Sequence, residues 1–405
     1  MKRILFIAFA LFALVAVSAQ EVATTNSLDT KVAELDARLA KSEKRVAAWE
    51  KAKQYFKISS FVQGMYEWGN DKSSMDKTGV SSFSIRRVRM SITGDLYKGK
   101  KGAVLDYRLY FDFARIKNNS NPNPILDMWV RYRPFKEFGI QFGQYKNPVT
   151  FEASISPAKY EFLDYAYAVC NLAKMGSDDV AGLNVTARDM GFQFLGGFIH
   201  RDGYSIINYN VGVLNGNGLN LKDNNKSKDI YGVLTIKPSA KLSLATYYQW
   251  GEANLAEFFS EEKIQTEYSW YGNPEYVTTH RWGVGFKYDS DGPYARGEYI
   301  AGTTGALVSE GAYLAGGYKF KLPKNAGRIW TGLMADYFCK NCFDYTNRDT
   351  ANAAINTRYT VCLGYEPIKY FHFQVAYSLE QRIHHTFGNN RHFNNGVKFM
   401  ATVLF

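Results

Sequence analysis

The sequence predicts an all-β protein, a sixteen-stranded antiparallel transmembrane β-barrel with a short N-terminal periplasmic coiled-coil helix. Three observations predict it. The chain opens with an export signal, its last twelve residues alternate apolar and polar side chains up to a terminal aromatic, and the connections between its alternating segments are by turns short and long.

The terminal stretch, Asn394 to Phe405, carries the clearest alternation. Phe405, Val403, Ala401, Phe399 and Val397 share one face, while Leu404, Thr402, Met400, Lys398 and Gly396 share the other. A period of two is a strand, and an apolar face that runs to the chain end is suited to outer-membrane lipid. Composition agrees. Aromatic residues make up 16% of the 405-residue chain, yet mean hydropathy is slightly negative at −0.30. A barrel hides its membrane character because every second side chain points inward. The net charge of +11 includes Lys2 and Arg3, which leaves +9 after export processing. Its lysines and arginines are scattered singly through alternating segments, a pattern that argues against a nucleic-acid-binding protein.

Residues 1–19 have a basic start, an apolar run from Ile4 to Val17 and small residues before Gln20. This is a signal peptide with cleavage after Ala19, and the run is too short for a spanning helix. From residue 20 to 53 the period changes. Leu28, Val32, Leu35, Leu39, Ser42, Val46 and Trp49 are spaced alternately by four and three with charged residues between them, a heptad seam. A helix with so narrow a stripe is marginal alone, so a short coiled coil between partner chains is expected. An amphipathic helix lying on or in the barrel mouth is the other reading.

Residues 54–405 form the barrel. In the first strand Phe56, Ile58, Val62, Tyr66 and Trp68 oppose Lys57, Ser59, Gln63 and Glu67. In the second, Phe83 and Ile85 are out of phase with Val88, Met90 and Ile92, which a bulge at Arg86-Arg87 reconciles. Leu105, Tyr107, Leu109, Phe111 and Phe113 then oppose Asp106, Arg108, Tyr110 and Asp112. Leu126, Met128, Val130 and Tyr132 oppose Asp127, Trp129, Arg131 and Arg133, and Phe138, Ile140 and Phe142 oppose Gln141, Tyr145 and Lys146. Eleven further segments follow, the last ending at Phe405. An even count suits a closed antiparallel barrel with both termini on one side, and sixteen strands leave an aqueous lumen. Turns such as 98–102, 134–137 and 200–203 alternate with longer connections, including 339–356 and, longest of all, 147–189. That third long loop contains a mildly helical patch from Ala158 to Ala168 and is expected to fold into the lumen as its constriction, an external lid being the alternative. Outward Tyr66, Trp68, Tyr132 and Tyr248 near strand ends suit interfacial girdles.

The strand phases put Arg108, Arg131, Arg133, Lys146, Arg281, Lys287, Arg296, Arg358 and Lys398 inside, with Asp106, Asp112, Asp127, Glu298 and Glu380. Facing mid-bilayer lipid instead, each Lys or Arg would cost roughly 2–4 kcal/mol. The excess is positive. It favours anions, unless the charges pair across strands, Arg108 with Asp127 for example. No catalytic, metal or cofactor constellation is expected. Cys339-Lys-Asn-Cys342 has no second pair, so Cys170, Cys339, Cys342 and Cys362 read as loop thiols or a local disulfide. His200, His280, His384, His385 and His392 read as polar loop and interface residues, not as part of a triad.

Several stretches resemble the phosphate-selective porin O and P family. They are Phe83-Ser-Ile-Arg-Arg-Val-Arg-Met-Ser-Ile-Thr-Gly94, Asp106-Tyr-Arg-Leu-Tyr-Phe-Asp-Phe113, Trp129 to Gly139 running into Gln141-Phe-Gly-Gln-Tyr-Lys-Asn-Pro148, and Met190 to Gly197. The terminal Phe405 also resembles the signal by which the barrel-assembly machinery recognises outer-membrane proteins. The resemblance implies a homotrimeric channel in the outer membrane of a Gram-negative bacterium, which agrees with the heptad seam. It implies a passive diffusion pore for small polar solutes, with a lean toward anions such as phosphate. Two alternatives remain, a structural anchor joining the barrel to a periplasmic partner or the cell wall, and a barrel enzyme.

Overall fold

A computed structural model describes residues 25–70, 79–99, 102–114, 123–173, 187–223, 225–254, 276–344, 353–384 and 390–405. The expected signal at 1–19 and His385 lie outside the described residues, as do the side chains of Leu28 and His384. Two units are separable, Met1–Gln54 and Tyr55–Phe405. In the first, helix α1 runs over Thr25–Tyr55. Its seam residues Val32, Leu35, Leu39, Val46 and Trp49 are between 48% and 66% exposed in the single chain.

The second unit is one closed barrel of sixteen strands in chain order. They are β1 (Lys57–Gly69), β2 (Val80–Lys98), β3 (Val104–Asp112), β4 (Ile125–Phe135), β5 (Phe138–Lys146), β6 (Arg188–Arg201), β7 (Tyr204–Leu214) and β8 (Asp229–Ile236). The others are β9 (Leu242–Asn254), β10 (Tyr276–Tyr288), β11 (Pro293–Thr304), β12 (Leu307–Lys321), β13 (Arg328–Asp344), β14 (Ala354–Ile368), β15 (Phe371–His384) and β16 (Asn390–Leu404). Closure is antiparallel between β1 and β16, with Phe61 opposite Leu404 and Gly69 opposite Gly396. All strand edges are thereby paired, which is what lets a sheet sit in lipid.

Alternation decides the two faces. On β14, Tyr359, Val361 and Leu363 are exposed while Arg358, Thr360 and Cys362 are buried. On β4, Met128, Val130 and Tyr132 are likewise exposed. Register shifts interrupt several strand pairs, and two of them redirect side chains near the loop. The β1–β2 register passes from Gln63↔Arg87 to Gly64↔Ile85, so Arg86 is the extra residue. The β3–β4 register passes from Tyr110↔Asp127 to Phe111↔Ile125. Leu126 is the extra residue there, and it is fully buried with Phe61, Tyr110, Ala158 and Leu219 instead of sharing the outward face of Met128.

Strand ends also move. Strand pairing in β13 continues past Phe338 although both Phe338 and Cys339 are buried, so Cys339 and Cys342 belong to a strand and not to a loop. A register shift beside Glu310 and a left-handed Asn341, φ 52°, accommodate them. All four cysteines are free thiols.

Gly143 in β5 has φ +126°, and a Cβ there would stand 2.2 Å from the Met128 carbonyl oxygen. Gly143→Val should therefore cost about 1–3 kcal/mol, read as a lower urea midpoint for the heat-modifiable band. Gly64→Ala, where a Cβ meets nothing within 4 Å, should leave that midpoint in place.

Candidate pore site

The connection between β5 and β6 enters the barrel and crosses to the opposite wall. It contains two short helices, α2 (Phe151–Ser154) and α3 (Tyr167–Leu172). The expected helical patch at Ala158–Ala168 is mostly irregular backbone. The two helices flank it, because wall side chains and not internal ladders satisfy the backbone groups between them. Phe162, Ala166, Ala168 and Val169 are fully buried. β6 starts at Arg188, so residues 188 and 189, counted with the loop in sequence, belong to the strand.

The described part of this loop is held by the wall along its length. On β11, Glu298 accepts the backbone N–H groups of Phe151 and Glu152 at 2.8 and 2.9 Å and the Tyr313 hydroxyl at 2.6 Å. Gln63 of β1 donates to the Pro157 carbonyl, and Gln374 of β15 donates to the carbonyls of Tyr160 and Glu161 at 2.8 and 3.0 Å. The Cys362 thiol and the Trp330 indole N–H also donate to the Glu161 carbonyl. Asp164 accepts from Arg86 at 2.7 Å and from Lys398 at 2.6 Å. Arg358 joins the Tyr165 carbonyl, at 2.5 Å, to Asp336 at 2.9 Å. Inside the loop, Glu152 accepts the Tyr160 hydroxyl at 2.5 Å and the Ala166 N–H at 2.7 Å.

The residues singled out in the sequence fall into two groups. Most are paired. Arg131 reaches both oxygens of Asp106, which Arg133 shares at 3.4 Å. Arg108 lies 3.5 Å from Asp127 and over the Tyr110 ring. Asp112 accepts from Arg89, Asp127 also accepts from Arg188, and Arg382 lies 3.6 Å from Glu380. Arg296 reaches Glu161 at 2.9 Å, and Lys287 lies 3.9 Å from Asp289. Arg281 donates to the wall carbonyls of His280 and Thr303. Lys146 differs. Among the described residues it has no carboxylate within 4 Å, and its Nζ lies 6.0 Å from the centroid of the Tyr165 ring.

Sequence reasoning missed Arg86, Arg87, Arg89 and Arg188. The signal for three of them was present in the R-R-V-R run. The bulge lets the adjacent Arg86 and Arg87 both reach lumen partners, Asp164 and Gln63, and Arg89 follows two residues on. Arg87, like Lys146, has no carboxylate within 4 Å among the described residues. Lys146 interacts electrostatically with Arg87, Arg89, Arg188 and Asp127. With Arg108 this makes, among the described residues, five cations against the carboxylates of Asp112 and Asp127, beside Tyr165 on the loop.

Elsewhere the structure joins residues that sequence leaves apart. His200 Nδ1 lies 2.8 Å from the Ser205 hydroxyl and Nε2 2.6 Å from Glu137. The contact ties the turn before β5 to the hairpin of β6 and β7, and the His200 hydrogen bond holds the Glu137 carboxyl below its ordinary value. His280 accepts or donates to Tyr248 at 2.6 Å on the outer face. Among the described residues no group of three or more His, Cys, Asp or Glu is placed to hold a metal ion.

The sequence model of the family described as phosphate-selective porin O and P matches residues 53–328. No curated protein matches the sequence. Among solved structures, the chain is similar to an anion-selective porin from Comamonas acidovorans. TM-score is 0.58 at 10% identity, covering 86% of this chain and 99% of that one. It is similar to the outer membrane channel DcaP of Acinetobacter baumannii, with TM-score 0.57 at 13% identity over 86% and 97% of the two chains. The trimer form of OmpT from Vibrio cholerae gives 0.56 at 8% identity over 86% and 99%. At such identities the likeness is one of fold.

The loop anchors differ in their response to pH. Burial pushes the Glu152 carboxyl up to about 7, against the opposing pull of Arg296 and the Tyr160 hydrogen bond. Burial also raises Asp164, but Arg86, Lys398 and Arg358 outweigh it and hold that carboxyl far below its usual range. A carboxyl raised in the seated loop stabilises that state fully below its free value near 4 and loses the contribution as pH rises through about 7. Asp164 stays ionised in the seated loop throughout that window, so its contribution is fully present above about pH 5 and adds almost no slope there. Amide exchange at residues 151–160, corrected for intrinsic rate, should be faster at pH 7.5 than at pH 4.5, and Glu152→Gln should flatten the difference. Asp164→Asn should speed exchange at 160–166 by roughly tenfold or more at either pH, since it leaves Arg86 and Lys398 without their shared partner.

Proposed function

The chain belongs to the phosphate-selective porin O and P family, and from that premise we propose that the anion path of this outer-membrane porin runs between the infolded loop and the arginine-bearing wall of β2 to β6. One observation carries the proposal. Arg87 and Lys146 stand beside Tyr165 with no carboxylate within 4 Å among the described residues, inside a group whose described cations outnumber its described carboxylates by three.

Paired arginines contribute shape. Arg89 with Asp112, Arg188 with Asp127 and Arg131 with Asp106 are close to neutral units, and they fix the wall and one another. Unpaired cations contribute field. In a narrow lumen with low-dielectric walls, their potential concentrates anions and repels cations. Arg87 presents a planar fork suited to phosphate or carboxylate oxygens, whereas Lys146, crowded by Arg87, Arg89 and Arg188, is an amine whose charged form an entering anion favours. A transported anion exchanges its water for these donors and leaves again because no single site encloses it. Passive flux needs no catalysis. The Ser205–His200–Glu137 contact fits a clip between turns, since its histidine offers Nε2 to the acid and Nδ1 to the hydroxyl, the reverse of a hydrolytic triad.

The porin is a homotrimer in this reading, with α1 supplying part of the association. Support comes from the exposed seam of Val32, Leu35, Leu39, Val46 and Trp49, which three copies would bury. A structural anchor draws on the same seam, and conductance separates the two.

Planar-bilayer recording under a salt gradient should give anion-side reversal with three-step conductance. Arg87→Ala with Lys146→Ala should move reversal toward zero. Each lost charge at about 4 Å is worth roughly 1 kcal/mol in a water-like lumen, or about fivefold in local anion occupancy. An unchanged reversal potential would place the selectivity elsewhere in the lumen. Leu35→Asp with Leu39→Asp should shift the solution mass of the detergent-solubilised protein from trimer toward monomer while the barrel keeps its heat-modifiable mobility.

A further inference from the structure

Beneath the loop, on the side of the short turns, lies a second cavity of about 510 Å³, floored by residues 154–161 and walled by the near ends of β10 to β16. We propose that this vestibule is a binding site for small organic anions that carry a ring, a phosphate or carboxylate joined to a sugar or aromatic ring. The proposal rests on the porin reading, because it supplies that pore with a substrate class.

Three features point to this chemistry. Charge is the first. Six cations line the cavity against the carboxylates of Glu161, Asp289 and Glu366. Four of the six are paired: Arg296 and Lys319 share Glu161, Lys319 and Lys287 reach Asp289, and Arg328 binds Glu366. Lys159 and Lys369 have no carboxylate within 4 Å among the described residues, so the site keeps a positive excess.

The second feature is a fixed aromatic platform. A Cβ on Gly364 would stand 2.0 Å from the Trp330 ring. The glycine therefore lets the indole lie flat on the β14 wall. Its N–H is engaged by the Glu161 carbonyl at 3.3 Å, and the His372 ring meets it edge-on at 5.7 Å. Tyr294, 4% exposed under Lys319 at 5.0 Å, backs the site and holds that ammonium over it. The indole face gains from stacking with a sugar or aromatic ring and gains nothing from a hydrated inorganic ion.

The third feature is a buried cation with unused donors. Arg296 is 3% exposed and lines the cavity, and among the described residues its Nε and Nη2 make no hydrogen bond, Nη2 lying 3.8 Å from the Glu152 carboxylate. The rings of Tyr160 and Phe162 pack against its guanidinium at 5.0 and 5.6 Å. The volume is also far larger than one phosphate needs and falls within the range of small-molecule sites.

The test is calorimetric titration of the full, detergent-solubilised protein with glucose 6-phosphate, benzoate, glucose and inorganic phosphate, alongside bilayer conductance of the same preparation. Glucose 6-phosphate or benzoate should bind about tenfold more tightly than inorganic phosphate or glucose, and which of the two leads identifies the ring. Trp330→Leu should remove that advantage and leave phosphate binding unchanged. Lys159→Ala with Lys369→Ala, at exposed positions, should weaken every anion together and so reports on the site even if Trp330→Leu does not fold. Equal affinity for ring-bearing and inorganic anions, or a ring advantage that survives Trp330→Leu in a folded barrel, would overturn the proposal. Absence of conductance with ring-selective binding intact would instead overturn the porin reading.

Discussion

A loop placed inside a barrel must find partners for backbone groups that have no ladder of their own, and this constraint organises the molecule. Unpaired N–H and C=O groups cost too much to leave buried, so the wall supplies side chains where a strand would supply its backbone. Glu298 receives two N–H groups, Asp336 receives the N–H of Tyr167, and Gln63, Gln374, Trp330, Cys362 and Arg358 each donate to a loop carbonyl. The polar inner face is therefore a docking surface for the protein's own chain before it is a surface for solutes.

This use of the lumen divides its charges. Cations that fasten the loop or the wall are matched by carboxylates, as with Arg86 and Lys398 on Asp164 and Arg296 on Glu161. Among the described residues a small surplus remains beside Tyr165 and in the vestibule below the loop. A fully paired lumen would be rigid and unselective. A fully unpaired one would pay heavy repulsion and let the loop go. The observed mixture places stiff geometry around a few unmatched cations, and on the proposed path it is these that an anion meets.

Much of this was legible residue by residue. The phase of β3 put Asp106, Arg108, Tyr110 and Asp112 on one face, and the disagreement between Phe83-Ile85 and Val88-Met90 located the bulge at Arg86. Other positions were not legible. Leu126 continues a perfect alternation in sequence, and only the pairing of Tyr110 with Asp127 and Phe111 with Ile125 shows it to be the extra residue. The irregular path of residues 155–166 was hidden because its residues have helical preferences that the surrounding wall overrides. Arg188 sits at a strand start where periodicity carries no information, and its bond to Asp127 spans 61 residues.

By itself the sequence determined the class of structure, the strand number, the two faces of the wall and the heptad seam. These follow from local period, and lipid on one side with water on the other enforces that period on every strand. Tertiary structure alone decided which cations are matched and which are left over. Asp164 meets Arg86 from 78 positions away and Lys398 from 234, and separations of that kind leave no trace in a pattern of two. Selectivity depends on the difference between charges and their partners, so it belongs to the closed barrel and not to any one strand.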